Sequence, residues 1–446
     1  MLGRRSSLSI LGGGIAGLGV AYYAHQSGVP VTLFEAGDEL GGNCRTVQRD
    51  GFRFDLGAHR FHDKDPGITA DVRALLGGDL RHVNRPSAIY DRGRFVRFPL
   101  SAVDLLRHLG LRRSGRAALG LLKGRVRGRS LPPTNFESAA VTSYGREIAD
   151  LFLLNYSAKL WGVKCDQLAT SAGGGRLKGL TLRAALAETV LGRAAGTKHL
   201  DGSFYYPSRG IGGIAGALAG HSGDGLRTRA AVTRVYHDGR RIGAVEINGA
   251  SRLAVERVVT TIPIDRFLQV LDPLPPTEMA SAASSFRFRN LILVAFFLDR
   301  RSVTQHATVY FPDPSLQFTR AYEPRNRCEL MAPPGKTSLV FEVPCDEGDT
   351  LWNATDDELA GSVRPRLAEI GWLSRERNPD SCVVRMRQAY PVSLAGNENR
   401  LRAVESYLAR FENLRSIGRN ACFEYTWMHV LLRRAKDLVD EWCNRS

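Results

Sequence analysis

Ser9-Ile10-Leu11-Gly12-Gly13-Gly14-Ile15-Ala16-Gly17, with Val31-Thr32-Leu33-Phe34-Glu35 after it, decides how this chain is read. Ser9 to Leu11 is a short apolar strand and Ile15 to Ser27 has helical apolar spacing, so the glycines fall at a strand-to-helix turn. Gly12 permits the tight turn, Gly14 lets a pyrophosphate reach the backbone, and Gly17 lets helix and strand pack closely. The helix N-terminus favours the phosphates' negative charge. Glu35 ends the second strand, where a carboxylate can accept both hydroxyls of an adenosine ribose and repels a 2'-phosphate. The motif therefore predicts FAD or NAD rather than NADP. Gly41-Gly42-Asn43-Cys44-Arg45 follow closely. Two glycines there let a second loop close over the pyrophosphate of an extended cofactor, which favours FAD held inside the protein; an ordinary surface turn is the alternative.

The 446 residues exceed one ordinary domain, and an apolar content of 43% supplies a large core. Seven scattered cysteines show neither CxxC spacing nor a His-rich partner segment, so neither a disulfide scaffold nor a metal site is expected. Arg4-Arg5 precedes an apolar run, but that run is the glycine turn itself and carries no small-residue cleavage site, which predicts a cytoplasmic protein. No stretch is long and apolar enough to predict a transmembrane helix. The net charge of +16 is mostly arginine, without a helix-turn-helix, zinc-finger or aromatic RNA-binding signature, so a small-molecule substrate is expected and nucleic acid is not. Arginines alternate with leucines from Arg107 to Arg129. That segment reads as a solvated helix pair with its leucines on the core, or as a patch that lies on an anionic membrane.

Nothing repeats at a fixed period, and the organisation reads as discontinuous. The expected fold class is α/β: an FAD-binding Rossmann-like domain of the glutathione-reductase type from residues 1–99, 204–285 and 385–446. A helical subdomain is expected over 100–203, broken at Pro132-Pro133 and turning at Gly173 to Gly175, and an antiparallel-sheet substrate subdomain over 286–384. Val232 to Val235, Ile242 to Ile247 and Val258 to Ile262 read as strands extending the first domain. Asn290 to Leu298, Thr308 to Phe311 and Ser338 to Val343 read as the second sheet, and a helix from about Tyr425 to Trp442 is expected to pack on the first domain.

Several segments resemble UDP-galactopyranose mutase, within the flavoprotein superfamily of protoporphyrinogen oxidase and the amine oxidases. They are Gly41-Gly42-Asn43, Gly57-Ala58-His59-Arg60-Phe61-His62, Val83-Asn84-Arg85, Tyr156-Ser157-Ala158-Lys159-Leu160-Trp161-Gly162 and Gly418-Arg419-Asn420-Ala421, in that order. Asn43, where amine oxidases usually carry arginine, and the histidine loop lean toward the mutase. Tyr205-Tyr206-Pro207, Val259 to Pro263 and Ala389-Tyr390-Pro391 are similar to segments found widely across the superfamily.

The resemblance implies that reduced FAD attacks the anomeric carbon of a nucleotide sugar through its N5, expels the nucleotide diphosphate and lets the sugar reclose, with no net redox change. NADPH or NADH is then the expected reductant. By the same resemblance, Gly12, Gly14, Gly17, Glu35, Gly41, Gly42, Asn43, Arg45, Val232, Gly418 and Arg419 bind the cofactor, and His59 and His62 border its reacting face. Arg176 and Arg289 match the anchoring arginines that clamp the departing diphosphate. Trp161 is placed to stack on a planar base or to fill a core.

Two departures qualify this. Phe318 and Phe423 stand where diphosphate-binding tyrosines are expected, and each lost hydrogen bond to a charged group costs about 1.5 to 3 kcal/mol. Trp427 and His429 replace acidic residues, so a rebuilt substrate pocket is expected. Three functions follow: a flavin mutase, an FAD oxidase or desaturase of the protoporphyrinogen or amine oxidase type, and a cofactor-binding protein docking on acidic surfaces through residues 107–129.

Overall fold

The computed structural model describes residues 6–98, 102–130, 132–172, 203–373 and 378–444. Its first layer is a parallel sheet in the order Leu414–Ser416, Arg257–Thr260, Leu8–Leu11, Val31–Phe34, Leu226–Arg227. Parallel strands are covered on both faces, and all four residues of Leu8–Leu11 are accordingly buried. Helix Ile15–Gln26 lies on one face, with Met428–Asn444 packed against it. The contact is close at Gly19, where a Cβ would stand 2.9 Å from Leu432 Cδ2.

Of the three segments read as extending this sheet, Arg257–Thr260 joins it and the other two do not. Val232–His237 and Ile242–Ile247 pair antiparallel and form a separate four-stranded sheet with Ser251–Ala254 and Leu271–Asp272. Their burial varies between core and solvent along each strand, which suits a sheet with one wet face and not a central parallel strand.

The third sheet has seven strands: Ser381–Pro391, Phe288–Leu298, Thr337–Cys345, Arg320–Tyr322, Val309–Tyr310, Ser87–Asp91 and Arg94–Phe98. Phe288–Leu298 is covered on both sides by alternation. Leu291, Leu293 and Ala295 meet the helical region with Trp161, while Ile292, Val294 and Phe296 meet Trp352, Val363 and their neighbours. Ser87–Asp91 and Arg94–Phe98 lie within the amino-terminal 99 residues yet pair into this sheet, and Ser381–Pro391 runs across residue 385.

The helical region holds Ala102–Ser130, Phe136–Ile148 and Asn155–Trp161, with Pro132-Pro133 between the first two. Along the arginine-rich helix Leu109 and Leu121 are buried, whereas Leu106, Leu111 and Leu119 face solvent, so its leucines divide between core and surface. Among the described residues no helix is long and apolar enough to cross a membrane. The turn at Gly173 to Gly175 lies outside the described residues.

Candidate active site

A cavity of about 650 Å³ opens where the parallel sheet, the seven-stranded sheet and the helical region meet. One end is the glycine turn: Gly12, Gly14, Glu35, Gly41 and Gly42 line it, with Val232 beside them. The other end is a chamber of Ile89, Phe98, Phe152, Leu153, Tyr156 and Tyr310. Between them lie His59, His62, Arg320, Tyr390, Gly418, Arg419 and Tyr425, and Arg60 turns toward the chamber.

The residues at the glycine end fit a dinucleotide. Helix Ile15–Gln26 starts at Gly14 with no side-chain cap, so its amino-terminal dipole is left for a ligand. A Cβ on Gly14 would touch nothing within 4 Å, because that side of the backbone faces open cavity. Glu35 is held by the N–H groups of Gly13 and Gly37, which donate to its two oxygens at 2.7 and 2.8 Å. Each carboxylate oxygen keeps a lone pair for a ribose hydroxyl. Farther along, the side-chain oxygen of Asn420 is buried on the cavity wall and accepts no hydrogen bond from any described residue.

Two of the cofactor residues expected from sequence do not line the cavity. Gly17 is buried in the helix, where an added Cβ would run into the carbonyl of Gly12 and lie 3.2 Å from Ile10, so it serves the close packing of helix on strand. Arg45 turns its guanidinium away, donating to Gly42 O at 3.1 Å and pairing with Glu39 at 3.1 Å.

The expected substrate residues are displaced further. Arg289 is 7% exposed and does not line the cavity. It pairs with Asp346 at 2.8 Å, and its other nitrogens donate to Leu160 O and Pro344 O at 3.3 and 3.2 Å. Gly162 makes room for it, since a Cβ there would come within 2.6 Å of Arg289 Nη1. A guanidinium so enclosed and neutralised is part of the framework. Phe318 sits in the core between Phe311 and Phe341, at ring separations of 4.8 and 4.9 Å, and Phe423 packs on Phe286 and Phe288. Trp161 is buried behind the wall, edge-on to Tyr390 and Tyr425. Arg176 lies outside the described residues.

His59 and His62 do line the cavity. His59 Nε2 donates to Leu56 O at 3.0 Å, and burial, followed by the positive charges of Arg419, Arg320 and Arg327, pushes its pKa down to about 3. The imidazole is therefore neutral at ordinary pH, too weak a base to take a proton there. The sign of the pH effect follows: the unfolded chain binds this proton near pH 6.5 and the folded chain does not, so stability is present above 6.5 and is lost as pH falls toward 3. His59→Gln is expected to flatten the pH dependence of urea unfolding between pH 6.5 and 4, removing up to about 1 kcal/mol per pH unit of the loss. An unchanged slope would mean that this ring does not carry the effect.

Arg320, Arg60, Lys64 and Tyr425 line the cavity without a site role in the sequence reading, and Arg419, expected at the cofactor, lines it with them. Arg320 pairs with Glu342, a wholly buried carboxylate, and donates to Tyr390 Oη at 2.8 Å. Glu342 also accepts the N–H of Ala58 at 2.7 Å and so fixes the start of the histidine loop. Arg419 donates to Thr426 O at 2.9 Å and lies 5.0 Å from the centre of the Tyr425 ring. Lys64 lies over Trp427 at 4.3 Å, and Arg60 lines the chamber. Phe61 is fully buried, while Gly57, Ala58, His59, Arg60, His62 and Lys64 around it all line the cavity, so no simple alternation along this turning segment marks them. Among the described residues no group of histidine, cysteine or acidic side chains could hold a metal ion.

Comparison with known proteins agrees with this fold. Residues 15–398 match the family described as flavin containing amine oxidoreductase. A chloroplastic protoporphyrinogen oxidase of Nicotiana tabacum is 24% identical over 87% of this chain and 76% of its own length. A coproporphyrinogen III oxidase of Mycobacterium leprae is 28% identical over 62% of this chain and 64% of its own. Among solved structures, reduced UDP-galactopyranose mutase superposes with a TM-score of 0.86 at 20% identity, covering 99% of this chain and 94% of that one.

Proposed function

The chain belongs to the family of flavin containing amine oxidoreductases and is an FAD-dependent enzyme, and from that premise we propose that it oxidises a small amphipathic molecule by two electrons. The observation that supports this most is the fate of Arg289. A mutase must hold a departing diphosphate with fixed cations; of the two expected clamps Arg289 is enclosed and neutralised by Asp346 outside the cavity wall, and Arg176 lies outside the described residues. Beside the wall arginines, the chamber leading to the dinucleotide bed is largely apolar and aromatic, suited to pressing a carbon skeleton against a flat ring.

FAD held by the glycine turn, Glu35 and Arg419 would supply a two-electron acceptor for a substrate carbon, with dioxygen as the final acceptor and peroxide as its product. The residues of this chain do the rest. Glu35 and the glycine turn would hold the adenosine half, and Tyr390 and Tyr425, backed by Trp161 and with Arg419 alongside, form a stiff stretch of the cavity wall. Phe98, Phe152 and Leu153 exclude water from the chamber. His59, neutral, offers hydrogen bonding without taking the proton.

A mutase acting on a nucleotide sugar is the second reading. It is favoured by the histidine loop and Tyr156, both in segments that resemble that enzyme and both on the cavity wall. One anaerobic experiment separates the two. The oxidised holoenzyme is mixed with candidate amphipathic amines, porphyrinogens and nucleotide sugars, and its absorbance is followed. Oxidation is expected to bleach the flavin with one equivalent of product two hydrogens lighter. Product of unchanged mass, formed by pre-reduced enzyme alone, would establish the mutase instead.

A further inference from the structure

We propose that Arg60 anchors an anion-binding subsite in the chamber, which takes a carboxylate or phosphate group carried by the substrate. The proposal rests on the reading above only in placing the substrate in that chamber. Arg60 Nη2 donates to Ser87 Oγ at 2.8 Å and to Thr308 Oγ1 at 2.9 Å, and the guanidinium lies 4.9 Å from the centre of the Phe204 ring. Both hydroxyls belong to the margin of the seven-stranded sheet and not to the glycine turn. They fix one nitrogen. Among the described residues Nη1 and Nε bond to no protein group, and no carboxylate pairs with this side chain.

The buried arginines of this region are each matched by a carboxylate. Arg289 has Asp346, Arg320 has Glu342 and Arg327 has Asp55, each an ion pair. Arg60 faces the same interior with neutral hydroxyls only. Burial, with Arg327 and Arg320 as nearby like charges, pulls its pKa down to about 10, so it stays charged at neutral pH. A half-buried guanidinium without a counter-charge loses part of its hydration, and pairing through its fork to a planar carboxylate or a phosphate offsets that loss. A counter-ion that the described residues omit is one that the ligand can bring. With Ile89, Phe98 and Tyr310 on the same wall, the ligand class is an apolar body bearing an acid group.

The test uses the holoenzyme and reads no turnover, so a failure of the oxidation reading leaves it intact. Oxidised protein is titrated with 3-phenylpropionate, phenyl phosphate and neutral 3-phenylpropanamide while the flavin difference spectrum is followed. Either anion is expected to bind at least tenfold more tightly than the amide, and whichever is tighter identifies the acid group. Arg60→Met is expected to erase that preference, leaving amide binding and FAD content unchanged. Equal binding of anion and amide by the wild type, or an undiminished preference in R60M, overturns the proposal. So does loss of FAD from R60M, because Arg60 would then hold the cofactor. Should R60M fail to fold, the Ser87→Ala/Thr308→Val double variant, which loosens the guanidinium but keeps it, is expected to weaken anion binding threefold or more without affecting the amide. An unchanged anion affinity in that variant also overturns the proposal.

Discussion

Gly14→Val is expected to yield a folded but colourless protein, with FAD affinity lowered at least a hundredfold, which is about 2.7 kcal/mol. The residue takes a negative φ of −71°, so a side chain meets no backbone strain there, and a Cβ would touch no protein atom within 4 Å. The apoprotein therefore tolerates the change. The added carbons occupy the space where the pyrophosphate would reach the amino-terminal end of helix Ile15–Gln26, and a phosphate cannot share it. Gly12→Val is the contrast: at φ +106°, with an added Cβ running into Thr261 Oγ1, it disturbs the turn itself and should lower the stability of the apoprotein as well. The measurements are flavin absorbance after purification, FAD titration of the apoprotein, and urea unfolding of both variants without cofactor. A yellow G14V protein would show that the dinucleotide does not approach this turn.

What the sequence reveals about this molecule is the part set by short-range rules. The strand-turn-helix at residues 8–26 and the strand Val31–Phe34 stand where their apolar spacing puts them, because a few neighbouring side chains decide those elements. Long-range partners decide the rest. Whether Arg289 faces a ligand or a carboxylate depends on Asp346, just past the end of the neighbouring strand Thr337–Cys345, and on the space that Gly162 leaves, and neither leaves a trace in local periodicity. Val232–His237 and Ile242–Ile247 are legible as strands, but which sheet receives them follows from pairing with each other rather than with Arg257–Thr260. The tyrosine-to-phenylalanine changes read correctly as lost hydroxyls, yet Phe318 and Phe423 lie in packed aromatic clusters where a hydroxyl would need a buried partner of its own.

Glu342→Ala is the other substitution with a large expected effect, and its size comes from what it leaves behind. The carboxylate is fully buried, pairs with Arg320, and accepts the Ala58 N–H at 2.7 Å. Truncation strands a guanidinium whose side chain is 11% exposed and an amide at the head of the histidine loop. Breaking such a buried pair from one side costs about 3 to 5 kcal/mol, a large share of the roughly 5 to 15 kcal/mol that holds a domain folded. Urea unfolding should register most of that loss, and FAD should bind more weakly because the loop from Gly57 to His62 loses its anchor. The double variant Arg320→Met/Glu342→Ala separates charge from packing. With no stranded cation, it is expected to regain at least 1 kcal/mol over E342A alone, a coupling between residues in direct contact. If the double variant is instead less stable than E342A by the full cost of another core substitution, the ion pair is not what makes Glu342 matter, and its bond to the Ala58 amide is.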